Sequence, residues 1–125
     1  MIKNEPTLIL RARLESANPR GDIFGGWLMA QMDIAASVPA ARRAQGAVTT
    51  AAVKDIRFIK PVFVGDLLRL YAEIVDTGAS SMTVHVDVVR ESVLHEGTME
   101  KVAQGDLIFV AISDLGKPRR LPKCV

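Results

Sequence analysis

"GDIFGGWLMAQMDIAAS", Gly21 to Ser37, reads as a glycine-punctuated turn running into a helix that is apolar nearly all round, yet it carries a carboxylate, Asp33, near its middle. No other acidic residue occurs between Asp22 and Asp55, and an unpaired carboxylate is costly to bury. Asp33 is therefore exposed, held by structural hydrogen bonds, or put to chemical use. A helix apolar on every side is expected to be surrounded by other elements, so the rest of the chain has to supply a wrap. Pro39 is expected to kink or end the helix, which gives it the span from Phe24 to about Val38.

The flanking sequence reads in strand periods. Thr7 to Leu14 places Leu8, Leu10, Ala12 and Leu14 on one face and Arg11 and Arg13 on the other, and Ser16 to Gly21 is a loop. Beyond Gly46 come Val48 to Ile59, Asp66 to Asp76, Ser80 to Glu91 and Val102 to Ser113. In the Ser80 to Glu91 stretch Met82, Val84, Val86 and Val88 alternate with Thr83, His85 and Asp87, as a sheet with one packed and one wet face requires. The turns at Val64-Gly65-Asp66 and Thr77-Gly78 are short, so neighbouring strands are expected to be antiparallel. The economical way to bury an apolar helix with these strands is to curl an antiparallel sheet around it. That is an α+β hotdog fold, one domain over residues 1–125 with a basic C-terminal tail at 115–125.

Composition agrees with one domain. The chain has 125 residues, 49% hydrophobic and 24% charged, enough to bury roughly two thirds of its unfolded surface. A formal charge of +2 is too small for general nucleic-acid binding and suits an anionic small molecule. Cys124 is the only cysteine, so no intramolecular disulfide forms, which fits a reducing compartment. The start MIKNEPTLIL lacks the order of a secretory signal, making the cytoplasm the expected location. No membrane span is expected, because Gly25-Gly26, Gln31, Asp33 and Pro39 interrupt the apolar run from Ile23 to Ala41.

The chain resembles the YciA-type acyl-CoA thioesterases of the hotdog superfamily over most of its length. "GDIFGGWLMAQMDI" (Gly21 to Ile34) carries the likeness most specifically, joined by "FIKPVFVGD" (Phe58 to Asp66), the Gly78 to Ser81 turn and "FVAISDLGKPRRLP" (Phe109 to Pro122). The resemblance implies hydrolysis of the acyl-CoA thioester without metal or organic cofactor. It implies Asp33 as general base or nucleophile, Asn18 in the loop before the helix, backbone amides of Gly25 and Gly26, and Thr50, with Thr49 in competition, on the following strand. It also implies a homodimer with sites shared between subunits, and a hexamer beyond it, in fatty acid metabolism. Ser80 and Ser81 in the turn, with Lys117 and Arg119 in the tail, are candidate substrate contacts, since coenzyme A carries phosphates that arginine pairs with in a fork. The plain reading of the tail is a solvated, partly disordered end. Ala79, Lys54 and Pro39 depart from the family pattern, and Ala79 stands where relatives often have an arginine.

The chemistry supports the transfer. Attack on a thioester carbonyl makes an oxyanion, and the first amides of a helix offer free N–H donors at the positive end of its dipole. Other readings are weaker. Gly21 to Gly26 has the spacing of a phosphate loop, but Trp27 follows in place of lysine. Asp22 reads as a solvated or helix-start acid. His85 with Asp87 is too sparse for a metal site, and neither His85 nor His95 falls where a hotdog dehydratase would need its histidine. Met29 and Met32 read as core or as the wall of an acyl channel. A non-catalytic acyl-CoA sensor of the same fold is the competing function.

Overall fold

The computed structural model describes residues 5–92 and 97–123; His95 and Cys124 lie outside them. The elements in chain order are β1 (Leu8–Arg11), a 3₁₀ turn (Leu14–Ser16), α1 (Gly25–Ala44), β2 (Val48–Phe58), β3 (Leu67–Thr77), β4 (Ser81–Glu91) and β5 (Met99–Ala111). The five strands form one antiparallel sheet in the order β1-β3-β4-β5-β2, curved about the helix as in a hotdog fold. Among the described residues no helix is long and apolar enough to cross a membrane.

The alternation on β4 is realised as read: Met82, Val84, Val86 and Val88 are fully buried. They meet one stripe of α1, where Met32, Ala35, Ala36, Ala40 and Ala44 are also fully buried. Four of those five are alanines, so the sheet can close tightly on the helix backbone. The opposite side of α1 is bare among the described residues, with Ala30 exposed and Ile34 52% exposed, and Met29 at the start of the helix is 37% exposed. The helix is therefore enclosed on one side only, where the sequence suggested enclosure all round.

Three further expectations are corrected. Pro39 does not end α1, which runs on to Ala44 and stops where Gln45 turns left-handed at φ 54°. Burial of Ala40 and Ala44 and a carbonyl cap at the helix end, described below, hold the last turn despite the N–H that Pro39 lacks. β1 stops at Arg11 because the chain turns away into the 3₁₀ turn, leaving Leu14 76% exposed. Finally, the Val64-Gly65-Asp66 turn does not join neighbouring strands: β2 pairs β5, and residues 59–66 cross from one edge of the sheet to β3, which lies beside the strand at the other edge. β2 is thus an edge strand of 11 residues.

Two register slips against β5 shape β2, the first between Thr50 and Ala52. The second lies between Lys54 and Arg57, and Asp55 sits at φ 52°, which re-aims Phe58 toward the start of α1. Gly105 on β5 makes the second slip possible, since a Cβ there would lie 3.2 Å from the Ile56 Cα and against its side chain.

Candidate active site

Strand register aims Thr50 at the helix. Thr50 pairs with Phe109, which is 2% exposed and faces the core, whereas Thr49 pairs with Val110 on the other face; directly opposed residues share a face. The Thr50 hydroxyl accordingly donates to Asp33 Oδ1 at 2.6 Å. Asp33 lies half-buried on the bare side of α1 with the exposed Gly26, Met29 and Ile34. Its other carboxylate oxygen makes no hydrogen bond among the described residues.

The start of α1 is the second part of the site. Its N-cap is Phe24, which offers no side-chain hydrogen bond, and its first turn holds no acidic residue. Capping by Ser, Thr, Asp or Asn is the usual way to satisfy the first amides of a helix, and the Phe24 side chain cannot do so for Gly25 and Gly26. A Cβ on Gly25 would lie 3.2 Å from the Phe58 ring, which would have to give by a few tenths of an ångström; one on Gly26 would meet nothing among the described residues.

Asn18 and Gly25 line a cleft of about 320 Å³ whose apolar wall includes Phe24, Leu28, Phe58 and Val62. The Asn18 side-chain oxygen accepts the Arg20 N–H at 2.8 Å, leaving its amide NH₂ as donor. Phe58, Ile59 and Lys60 also line this cleft and were missed as site residues; their only signal in the sequence was membership of the "FIKPVFVGD" stretch. Asp22, read as a solvated or helix-start acid, lines the cleft too, with Oδ1 buried and without a hydrogen-bond partner among the described residues. A larger hollow of about 500 Å³ lies at the other half of the helix, between Pro6, Pro39 and Arg42. Neither hollow is lined by Asp33 or Thr50; only the smaller one is lined by Asn18 and the start of α1.

The other candidates lie at the far end of the sheet. The Ser80 carbonyl accepts the Ala111 N–H at 2.9 Å, and Ser81 closes the β3–β4 turn through the Gly78 N–H at 2.9 Å. The tail is strapped to this end: the Leu121 N–H donates to Ala79 and the Arg119 N–H to Ala111, while Arg43 Nη1 donates to the Pro122 carbonyl at 2.6 Å. Residues 115–123 are therefore an ordered strap, which corrects the reading of a partly disordered end. Arg119 donates from Nε to the Ile112 carbonyl at 3.0 Å and from Nη2 to the Ala44 carbonyl at 2.8 Å, capping the helix. Lys117 is exposed. His85 stands apart from all of this, between Asp106 at 2.8 Å and Asp87 at 3.0 Å on the outer face of the sheet. Among the described residues no group of three or more His, Cys, Asp or Glu side chains is arranged to hold a metal ion.

Residues 20–95 match the family model described as Thioesterase superfamily. The chain belongs to the thioesterase superfamily. Within it, the acyl-CoA thioester hydrolase YciA of Salmonella typhimurium is 41% identical over 119 residues, covering 92% of this chain and 90% of that one. A hexameric thioesterase from Yersinia pestis has a similar structure, with TM-score 0.92 at 40% identity, covering 98% of this chain and 100% of the other. An acyl-CoA hydrolase from Staphylococcus aureus, solved with butyryl coenzyme A and coenzyme A, gives TM-score 0.84 at 33% identity over 92% of this chain and 70% of that one. Solved variants of that hydrolase replace an asparagine, an aspartate and a threonine by alanine, at the same spacing as Asn18, Asp33 and Thr50 in this thioesterase-family chain.

Proposed function

We propose that this chain is an acyl-CoA thioester hydrolase in which Asp33, oriented by Thr50, attacks or directs water onto the thioester carbonyl. The observation that carries this reading is the 2.6 Å bond from Thr50 to Asp33, on a helix whose first amides are uncapped. The relatives' names support hydrolysis over the sensor alternative. As base, Asp33 takes a proton from water while the water oxygen bonds to the carbonyl carbon. As nucleophile, its own oxygen forms that bond, and water later cleaves the resulting anhydride. In both routes the carbonyl electron pair moves to oxygen, is stabilised by the Gly25 or Gly26 N–H, and returns as the C–S bond breaks. The sulfur departs with its electron pair as coenzyme A.

One subunit does not complete this arrangement. Seven residues at 1.5 Å rise put Gly26 about 10 Å from Asp33 along the helix, whereas attacking oxygen and oxyanion donors must each lie about 3 Å from the reacting group. A two-fold dimer with its helices antiparallel brings the start of one helix to Asp33 of the other. The bare face of α1 and the open β2 edge fit such a partner, and the Yersinia relative is a hexamer. Ser80, Ser81 and Lys117 remain proposed contacts to the nucleotide, and the cytoplasm the proposed location.

A hydrolysis screen over short, medium, long and aromatic acyl-CoA thioesters, read by free thiol, tests the reading. Turnover of at least one is expected. Asp33→Asn should lose about 10²–10⁴-fold in rate or more with its thermal transition unchanged. Wild-type turnover by that variant would remove Asp33 from the reaction. Single turnover in ¹⁸O-water then separates the roles, because only a nucleophilic carboxylate acquires solvent oxygen.

A further inference from the structure

Near the end of β4, the core face of the sheet carries a charge where an apolar residue would pack. Arg90 pairs with Leu68, which is fully buried and points into the core, and on its other side with Glu100. Opposed residues share a face, so Arg90 points inward, and its side chain is only 11% exposed. Asp66 beside it is 1% exposed. Taking both charges from water costs several kcal/mol per ion, and an apolar pair of similar volume is often as stable or more so. Arg90 Nε is moreover buried without a hydrogen-bond partner among the described residues. Packing alone does not call for this residue.

What the guanidinium holds is the crossover that follows β2. Arg90 Nη1 donates to the Pro61 carbonyl and lies 3.5 Å from Asp66 Oδ2; Nη2 lies 3.5 Å from Glu100 Oε2, which also pairs with Lys60 at 2.8 Å. The Phe63 ring packs against it, its centroid 5.6 Å from Cζ. Asp66 in turn accepts the Phe63 N–H at 2.9 Å. The segment thus fixed carries the cleft wall, and it is bonded directly to the loop before α1: the Val62 carbonyl accepts the Ile23 N–H at 2.8 Å, and Asp22 bridges Phe63. Two residues after Ile23 the helix begins at Gly25.

We propose that Arg90 is a positioning residue, a buried guanidinium that sets the Pro61–Phe63 wall and through it the uncapped start of α1. The proposal rests on the reading above that the Gly25 and Gly26 amides meet the oxyanion. Oxyanion donors are sensitive to placement, since displacement by about 1 Å can cost about 10²-fold. A lysine cannot replace the fork, because one ammonium does not reach Pro61, Asp66 and Glu100 in the directions that two planar Nη groups do.

The test compares Arg90→Lys and Arg90→Met with the wild-type chain on an acyl-CoA that the wild type hydrolyses, together with amide hydrogen exchange over residues 21–28 without substrate. Arg90→Lys retains the positive charge and guards against simple unfolding. The expected result is a fall in kcat of about 10- to 100-fold per folded molecule, KM within about twofold, and faster exchange at the helix start. Wild-type kcat in folded Arg90→Lys with unchanged exchange overturns the proposal. So does a loss of activity that only follows the folded fraction. If the wild type hydrolyses no acyl-CoA, the functional reading fails, and the exchange arm alone still decides whether Arg90 holds the helix start.

Discussion

At the scale of single residues, the site depends on which oxygen of Asp33 is engaged. The Thr50 hydroxyl ties Oδ1, so Thr50→Val should leave the carboxylate free to rotate and lower kcat about 10-fold or more, with the thermal transition nearly unmoved. Thr50→Ser restores the hydroxyl and should recover most of the rate. A Thr50→Val enzyme as fast as the parent would show that the bond is structural only. Asp33 was legible in the sequence because a lone carboxylate in an apolar helix requires an explanation. The choice of Thr50 over Thr49 was not, since it depends on which face of β2 each occupies, and that is set by pairing with β5, about 60 residues later in the chain. The same holds for Arg90. On β4 its parity with Met82, Val84, Val86 and Val88 puts it on the packed face, but only the pairing with the buried Leu68 and the neighbouring Asp66 shows that it is an interior charge.

At the scale of elements, hydrophobic period located all five strands and the helix to within a few residues at most ends, but it missed ends decided by tertiary contact. α1 passes through Pro39 because the last turn is buried and capped by Arg119, a residue the sequence assigned to nucleotide binding. The two roles are separable. Arg119→Met orphans the Ala44 and Ile112 carbonyls and should lower stability by about 1–3 kcal/mol, with KM for acyl-CoA and for an acyl-pantetheine affected alike. Lys117→Glu should leave stability alone and raise KM for acyl-CoA only, an effect that fades with added salt. Equal KM for both substrates in the Lys117 variant would take the tail out of nucleotide binding. β4 and β5 are linked by a second device. Burial opposes ionisation of His85, but its bonds to Asp106 and Asp87 prevail and hold its pKa above 6.5. Burial likewise opposes ionisation of Asp87, but Lys101 and His85 prevail and hold its pKa below 3.8. The His85 contribution is full below about pH 6.5 and is lost as pH rises through its higher folded pKa; that of Asp87 is present above about pH 3.8 and is lost as pH falls through its lower one. His85→Gln should therefore lower Tm more at about pH 5.5 than at about pH 9. A pH-independent difference would show that the imidazolium contributes nothing.

At the scale of the whole molecule, the separation of Gly26 from Asp33 along one helix predicts complementation. Chains carrying Asp33→Asn and Asn18→Ala, each nearly inactive alone, should regain activity when mixed as confirmed heterodimers, because one of the two shared sites keeps both groups. No recovery would place the whole site within one subunit. The sequence signalled a wrapped helix but not its open side, since a helix apolar all round reads the same whether a sheet or a second copy of itself covers the far face. The position of β2 also governs the order in which the chain can assemble. β3 and β4 join across the tight Thr77–Ser81 turn, and β4 and β5 are likewise consecutive, so these pairings close short loops. β2 must wait for β5, and contacts between distant residues form late because their loop entropy is spent before any contact repays it. Until β2 docks, the β5 edge is a free template for a β2 from any chain. A slow last step would therefore favour exchange of β2 between molecules, and because Thr50 travels on that strand, an exchanged strand would carry a neighbour's threonine to Asp33.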